Sequence, residues 1–373
     1  MDFRELLRPD ITGKDEDVMT SLRRSPYPVI LYGAAGDVGE RIVGKLSENG
    51  LHIAGVALDG DCPAVAGTPA LSGMEVYRPA DADERFAAYH VIIGFVKGYG
   101  QTERIARKFR HARSVDYLSE LFNMEIITPS FVAAHREPLE ALYDSLCDPL
   151  SKDSFVAYLL AKIRQDMQYI PPYFDRKQYF PDGFFTLSDR ESYFDCGAFT
   201  GDTVADFLNA TGGKYRHIWA VEPDPSNCRQ LMRFVAERQL TGVEVVNKGI
   251  YGFTGRLPFQ AEGNMLSMIA EDALQAAGAD TVEVDTVDRI AAGRPVTYIK
   301  MDVEGAELMA LHGARQTILA HRPLLGISIY HRQRDLIDIP AFIKSVAPEY
   351  RFYFRVHKKL AIDTVLYAVN ERM

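Results

Sequence analysis

The sequence is poor in cysteine. Four occur in 373 residues, Cys62, Cys147, Cys196 and Cys228, with no CxxC pair among them. That spacing excludes a disulfide framework and a cysteine-built zinc cluster, and it suits a reducing compartment. No uninterrupted apolar run approaches the roughly 20 residues that cross a bilayer. The opening MDFRELLRPDITGKDEDVMT also lacks the apolar stretch of a secretory signal. Basic residues are outnumbered, 42 to 51, and the net charge of −9 argues against a general binder of nucleic acid or anionic membranes. What remains, 47% hydrophobic and 25% charged, is an ordinary globular composition with length for two or three domains. The expectation is a cytoplasmic protein with no nucleic-acid partner and no membrane insertion.

Periodicity divides the chain. After an extension over 1–25, residues 26–118 read as a small α/β unit. Val29 to Tyr32 form an apolar strand, glycines and an amphipathic helix follow, and a second strand ends at Asp59. AYHVIIGFV adds a buried strand, and a helix is expected from Gln101 to His111. Over 119–190 the pattern loosens into helical stretches and then YIPPYFDRKQYFPDGFFTL. That segment is too apolar for a free linker and too irregular for a helix. It is expected to bridge to the next domain, pack on it and wall its cleft.

From 191 to 373 the alternation restarts, with strands at SYFDCG, HIWAVEP, VEVVNKGI, VTYIKMDV, PLLGISIYH, YRFYFRVH and DTVLYAV. Helical patterns cover 202–210, 226–239, 305–320 and 338–347. Only KKLAI separates the last two strands, too little for a parallel crossover, so they must form an antiparallel hairpin.

The turn DCGAFTGD leaves the first strand of this second domain, where open parallel sheets bind ligands. Gly197 and Gly201 allow close approach of the backbone, and Ala198 keeps the wall low. A helix start would suit pyrophosphate, yet Asp195 and Asp202 oppose it. Like charges 4–5 Å apart cost about 3–4 kcal/mol at an effective dielectric near 20. S-adenosylmethionine, with an ammonium and a cationic sulfur, reverses that sign. Glu222 ends the next strand, where an acidic side chain can accept both hydroxyls of a ribose; dinucleotide folds use the same device. Pro223 and Pro225 rigidify the turn, and Ser226 can cap the following helix.

Four stretches in order, YFDCGAFTGDT, AVEPDPSNCRQL, YIKMDVEGAELMALHGA and RPLLGISIYHRQRDLIDIP, resemble the motifs of the FkbM family of S-adenosylmethionine-dependent methyltransferases. The resemblance spans about 190–371. It implies a class I methyltransferase Rossmann-like sheet closed by the C-terminal antiparallel hairpin, preceded by a smaller Rossmann-like α/β domain. It also implies O-methylation of a hydroxyl on a sugar, glycan or other small natural product. Asp195, Gly197, Gly201 and Glu222 would contact the methyl donor, with Ala198, Phe199, Asp202, Thr203, Pro223 and Asp302 beside them.

The chemistry would sit where KMDVEG and ISIYHR end. Asp302 either faces the donor's ammonium, binds a cation or caps the helix begun near Gly305. Asp302 and Glu304 converge only if the chain turns at Val303, and magnesium is then conceivable. His331 is the candidate base for the acceptor's proton, its titration range being suitable. Tyr330 alternates to the other face if its strand continues, and then packs. Asn264 and Ser267, in the excursion before the fourth strand, are candidate hydroxyl partners of the acceptor, Glu304 and Tyr330 are further candidate substrate contacts, and Asp302 joins His331 as a candidate catalytic residue. His217, His312 and His321 read as structural.

GAAGDVG in the first domain has nucleotide-turn spacing, with Gly33, Gly36, Gly39 and Asp59 as the residues that would serve it and Lys97 to offset an anion. Two rivals stay open: an NAD(P)- or nucleotide-sugar-dependent oxidoreductase built on that domain, and a non-catalytic binding protein.

Overall fold

Alternating strands and helices resolve into two α/β units in the computed structural model. It describes Phe3 and residues 18–34, 36–60, 68–95, 102–117, 125, 127–164, 169–170, 173, 175–260, 268–269, 281–357 and 363–370. One unit comprises residues 1–136, 156–172 and 359–361, the other 137–155, 173–358 and 362–373. No helix among the described residues is long and apolar enough to cross a membrane.

In the first unit, β1 (Val29–Tyr32), β2 (Ile53–Ala57), β3 (Val76–Tyr77), β4 (Tyr89–Ile93) and β5 (Ala112–Asp116) form a sheet in the order β3-β2-β1-β4-β5. All four pairings are parallel, a Rossmann-like arrangement. β1 and β4 are fully buried, and Val29, Leu31, Val56 and Ile92 meet Ile42 and Leu46 of the helix Gly36–Glu48. The helix expected from Gln101 to His111 is shorter, Thr102–Ala106. β3 and β5 escaped the sequence reading because one has two residues and the other, ARSVD, carries two polar residues at its centre and little burial.

The second unit contains β6 (Ser192–Cys196), β7 (His217–Val221), β8 (Val243–Val246), β9 (Gly249–Ile250), β10 (Gly255–Gln260), β11 (Met268–Ile269), β12 (Thr281–Asp285), β13 (Tyr298–Met301), β14 (Leu324–Ser328), β15 (Arg351–Val356) and β16 (Thr364–Val369). Seven strands run β15-β16-β14-β13-β6-β7-β8, parallel except for β16, which is antiparallel to both neighbours. This is the methyltransferase layout with its terminal hairpin. Strand order reverses between β6 and β13, and there Cys196 lies opposite both Met301 and Val221.

Three local readings need correction. VEVVNKGI is not one strand: it breaks where the Asn247 side chain turns back to the carbonyls of Glu222 and Pro223, and β9 joins a separate sheet, β11-β10-β12-β9. The helix expected over 305–320 is two, Glu307–His312 and Arg315–His321. They part at Gly313, where a Cβ would stand 2.2 Å from the Tyr251 carbonyl oxygen. The helix Pro225–Glu237 is capped by Asp224, whose carboxylate accepts the N–H groups of Ser226 and Asn227.

The core of this unit is aromatic. Tyr193 stacks on Phe207 with ring centroids 4.4 Å apart, and Phe180, Phe184 and Phe185 pack against the same cluster. Phe184 also stacks on Tyr353 at 4.3 Å. The segment entering β6 is therefore part of the fold it precedes.

Arg355 on β15 sends its guanidinium inward to Asp148, 2.6 Å away, and to the Ser151 hydroxyl. Burial works against the Asp148 charge, but Arg355 and Ser151 outweigh it and hold the carboxyl below the usual range. Its contribution is therefore present above the unfolded carboxylate pKa and lost as pH falls through the lower folded value. Asp148→Ala strands a buried guanidinium and is expected to destabilise this unit by about 3 kcal/mol in urea titrations at neutral pH, with the difference from wild type shrinking in acid.

Candidate active site

The turn after β6 owes its shape to how close β13 comes. Gly197 sits at φ +81, and a Cβ there would stand 1.9 Å from the Asp302 carbonyl oxygen, so only glycine fits. Asp302 N–H donates to the Cys196 carbonyl, which ties the two strand ends together. Phe199 is left-handed at φ +46, and Gly201 at φ +100 opens the helix Asp202–Ala210, whose first turn carries the exposed Asp202.

Asp195 is not displayed to a ligand. It is wholly buried, 3.1 Å from the Lys300 ammonium on β13, and accepts a hydrogen bond from Thr203 at 2.5 Å. Burial raises its pKa and Lys300 opposes that. Lys300 also donates to the carbonyls of Cys196 and Gly197, so it pins the turn at three points. The turn thus has a basic partner that its own sequence does not contain. The unit charge expected from Asp195 is neutralised from the next strand, which leaves Asp202 as the exposed carboxylate of the turn.

Glu222 follows β7 and reaches back to the same turn. One oxygen accepts the Phe199 N–H at 3.0 Å, and the other accepts the Asp224 N–H at 3.0 Å with the Asn227 amide at 3.4 Å. It is 5% exposed, and burial pushes its pKa up to about 7 despite those donors. Pro223 follows it into the turn. Ala198 is buried behind, its N–H held by the Val221 carbonyl.

The third group forms because β13 stops at Met301. The chain turns, with Glu304 left-handed at φ +55, and Asp302 and Glu304 converge on His331. His331 Nε2 lies 3.4 Å from Glu304 and 3.8 Å from Asp302, and its Nδ1 lies 3.1 Å from Glu307, on the opposite side of the ring. The ring is 1% exposed. Burial disfavours its charge, yet Glu307 and Glu304 overcome this and raise the pKa well above the usual value. Burial likewise opposes the charge of Asp302, which Lys300 and His331 hold low, whereas burial raises Glu304.

Two sequence expectations change here. Asp302 caps no helix: the helix Glu307–His312 starts at Ala306 without a side-chain cap, and Glu307 accepts the Val303 N–H. Tyr330 does not face away, because β14 has already ended at Ser328; its hydroxyl donates to Asp302 at 3.2 Å. Tyr179, in the aromatic segment, was not singled out by the sequence. It is buried and donates to the other Asp302 oxygen at 2.9 Å, beside the Ser328 hydroxyl at 3.0 Å. Lys300 and Glu307 were missed as well. The available signal was a charged residue inside or directly after an apolar run, as in YIKMDV. Asn264 and Ser267 lie outside the described residues, as does Lys97.

In the first unit Gly33 and Gly36 both adopt positive φ, but Gly36 opens the following helix and Gly39 lies inside it. Asp59 is engaged: it accepts from the Tyr32 hydroxyl at 2.6 Å and pairs with Lys108.

The Asp195–Lys300 pair gives a direct test. Lys300→Met leaves a carboxylate in the interior and is expected to cost about 3–5 kcal/mol in chemical denaturation. Adding Asp195→Asn is expected to return part of that loss, so that the double variant is more stable than the sum of the singles predicts. Strict additivity would show that the two charges are uncoupled.

Comparison with known proteins fits this geometry. Residues 195–352 match the model of the methyltransferase FkbM domain. A crystal structure of methyltransferase FkbM from Methylobacillus flagellatus KT superposes with a TM-score of 0.72, at 24% identity, over 94% of this chain and 92% of that one. An rRNA methylase from Streptococcus thermophilus overlaps 50% of this chain and 89% of its own, with TM-score 0.33 and 10% identity, too distant to carry an argument. A search of curated proteins gave no significant match. Residues 195–352 thus resemble a methyltransferase FkbM domain on a methyltransferase fold, preceded in sequence by a Rossmann-like α/β unit.

Proposed function

We propose that this methyltransferase transfers a methyl group from S-adenosylmethionine to a hydroxyl of a sugar, glycan or other small natural product. The observation that carries the reading is the convergence of the glycine turn after β6, Glu222 after β7, Asp302 after β13 and His331 after β14 at one end of a methyltransferase sheet. In open α/β sheets that end, at the reversal of strand order, is where ligands bind.

The residues present fit a cationic donor. Glu222 is a carboxylate suited to a ribose diol, and the turn Gly197–Thr203 brings backbone close to it. With Asp195 and Lys300 neutralising each other, Asp202, Asp302 and Glu304 leave the surroundings anionic. Bound there, the donor supplies an electrophilic methyl on a sulfonium. Diphosphate would meet the same carboxylates unfavourably.

Proximity and alignment supply much of the rate of such transfers, and the residues around the acceptor have the task of holding its hydroxyl and receiving its proton. The side chains of Asp302 and Glu304 are 19% and 17% exposed and front the buried His331, so an acceptor meets a carboxylate first. His331 acts behind them, oriented by Glu307. The choice of a sugar-like hydroxyl rests on the resemblance to the FkbM family, and a screen of glycans and their nucleotide precursors with labelled methyl donor tests it: label in none of these hydroxyl acceptors removes that choice.

Donor binding has a pH signature with a definite sign. A folded pKa raised to about 7 means that Glu222 favours the protonated fold. Its effect on stability is best below the unfolded carboxyl pKa of roughly 4.3 and declines as pH rises toward 7. Binding that uses the ionised carboxylate runs the other way. Affinity for S-adenosylhomocysteine, measured by calorimetry from pH 5.5 to 8, is expected to fall by about tenfold per unit below 7. Glu222→Gln is expected to bind more weakly and without that dependence. A wild-type affinity that is flat across this range would remove Glu222 from the donor site.

A further inference from the structure

We propose that Asp302, Glu304 and His331 form a binding site for a divalent first-row metal ion at the edge of the methyl-transfer cleft. One oxygen of each carboxylate and one imidazole nitrogen lie within 4.8 Å of one another. The separations from Nε2, 3.4 Å to Glu304 and 3.8 Å to Asp302, are long for hydrogen bonds. They are the right span for ligands of a common ion, since two atoms each about 2.1 Å from a metal stand about 3–4 Å apart.

The histidine is the independent observation. It is 1% exposed; Nε2 has no hydrogen bond of proper geometry, and Nδ1 stands 3.1 Å from the Glu307 carboxylate. A polar ring so deeply buried is ordinarily satisfied. Here Nε2 is aimed at two carboxylates while Nδ1 faces a third, Glu307, which is wholly buried and fixed by the Val303 N–H. A carboxylate behind a histidine whose other nitrogen meets a metal is the usual outer-shell arrangement.

Backbone and charge agree. Glu304 adopts a left-handed φ of +55, a conformation disfavoured for a non-glycine residue, and that turn brings its side chain back to His331. Asp302 is held by the hydroxyls of Tyr179 and Tyr330, neutral donors that orient it without discharging it. Asp302, Glu304 and Glu307 outnumber the one imidazole, so the group stays anionic even if the ring is charged, and two positive charges offset that.

One nitrogen with two carboxylate oxygens suits manganese or zinc better than calcium or magnesium, which favour all-oxygen cages. An open coordination position would take the acceptor oxygen and acidify its hydroxyl. This last consequence rests on the methyl-transfer reading; the binding does not.

The test is titration of chelator-treated full-length protein with Mn2+, with free ion followed by electron paramagnetic resonance. One ion per chain is expected to bind. His331→Ala and Glu304→Gln are each expected to weaken it at least about tenfold, and Glu307→Gln by about 10–100-fold. Glu304→Gln alters a partly exposed group and decides the matter if the histidine variant fails to fold. No bound Mn2+ at millimolar concentration, or binding unchanged in Glu304→Gln, overturns the proposal. S-adenosylhomocysteine calorimetry on the same samples keeps the two readings apart: donor binding without Mn2+ sinks the metal site alone, and Mn2+ binding without donor sinks the donor alone.

Discussion

The site depends on the ion pair between Asp195 and Lys300, placed where the strand order of the sheet reverses. A lone carboxylate in that position would be driven to its neutral form by burial. The lysine from β13 compensates it and, with its remaining donors, fixes the carbonyls of Cys196 and Gly197. The glycine turn is thereby held against the Asp302 backbone at a separation that no side chain would allow. From this junction Asp302 enters the cleft, and with it the carboxylate–histidine group.

Much of this was legible in residue order. The parallel alternation, the closing hairpin, the glycine turn and the acidic residue after β7 follow from patterns of a few consecutive residues. What escaped involved partners distant in sequence. DCGAFTGD read as uncompensated because its counter-charge comes from β13, more than a hundred positions later. Alternation would turn Tyr330 to the other face only if its strand continued, and β14 stops at Ser328. The convergence of Asp302 and Glu304 required a turn at Val303, and a left-handed glutamate provides it. That conformation is one that propensity disfavours.

The same limit explains β9 to β12. A run of β-branched residues at 243–250 reads as one strand, yet its two halves pair in different sheets, because neighbours in space decide pairing. Neither the break nor the new partners leave a mark on local composition beyond the polar Asn247–Lys248 step.

Tyr179 and β16 lie on either side of the residues that match the family model. The tyrosine hydroxyl anchors Asp302, and β16 fills the gap between β14 and β15. A protein cut to the matched residues would lose an anchor of its acidic centre and the strand that joins one edge to the rest of the sheet. The structural unit around this site is thus wider than the residues that match the family model, and any recombination that keeps the site intact must carry the aromatic preamble and the final strand along with it.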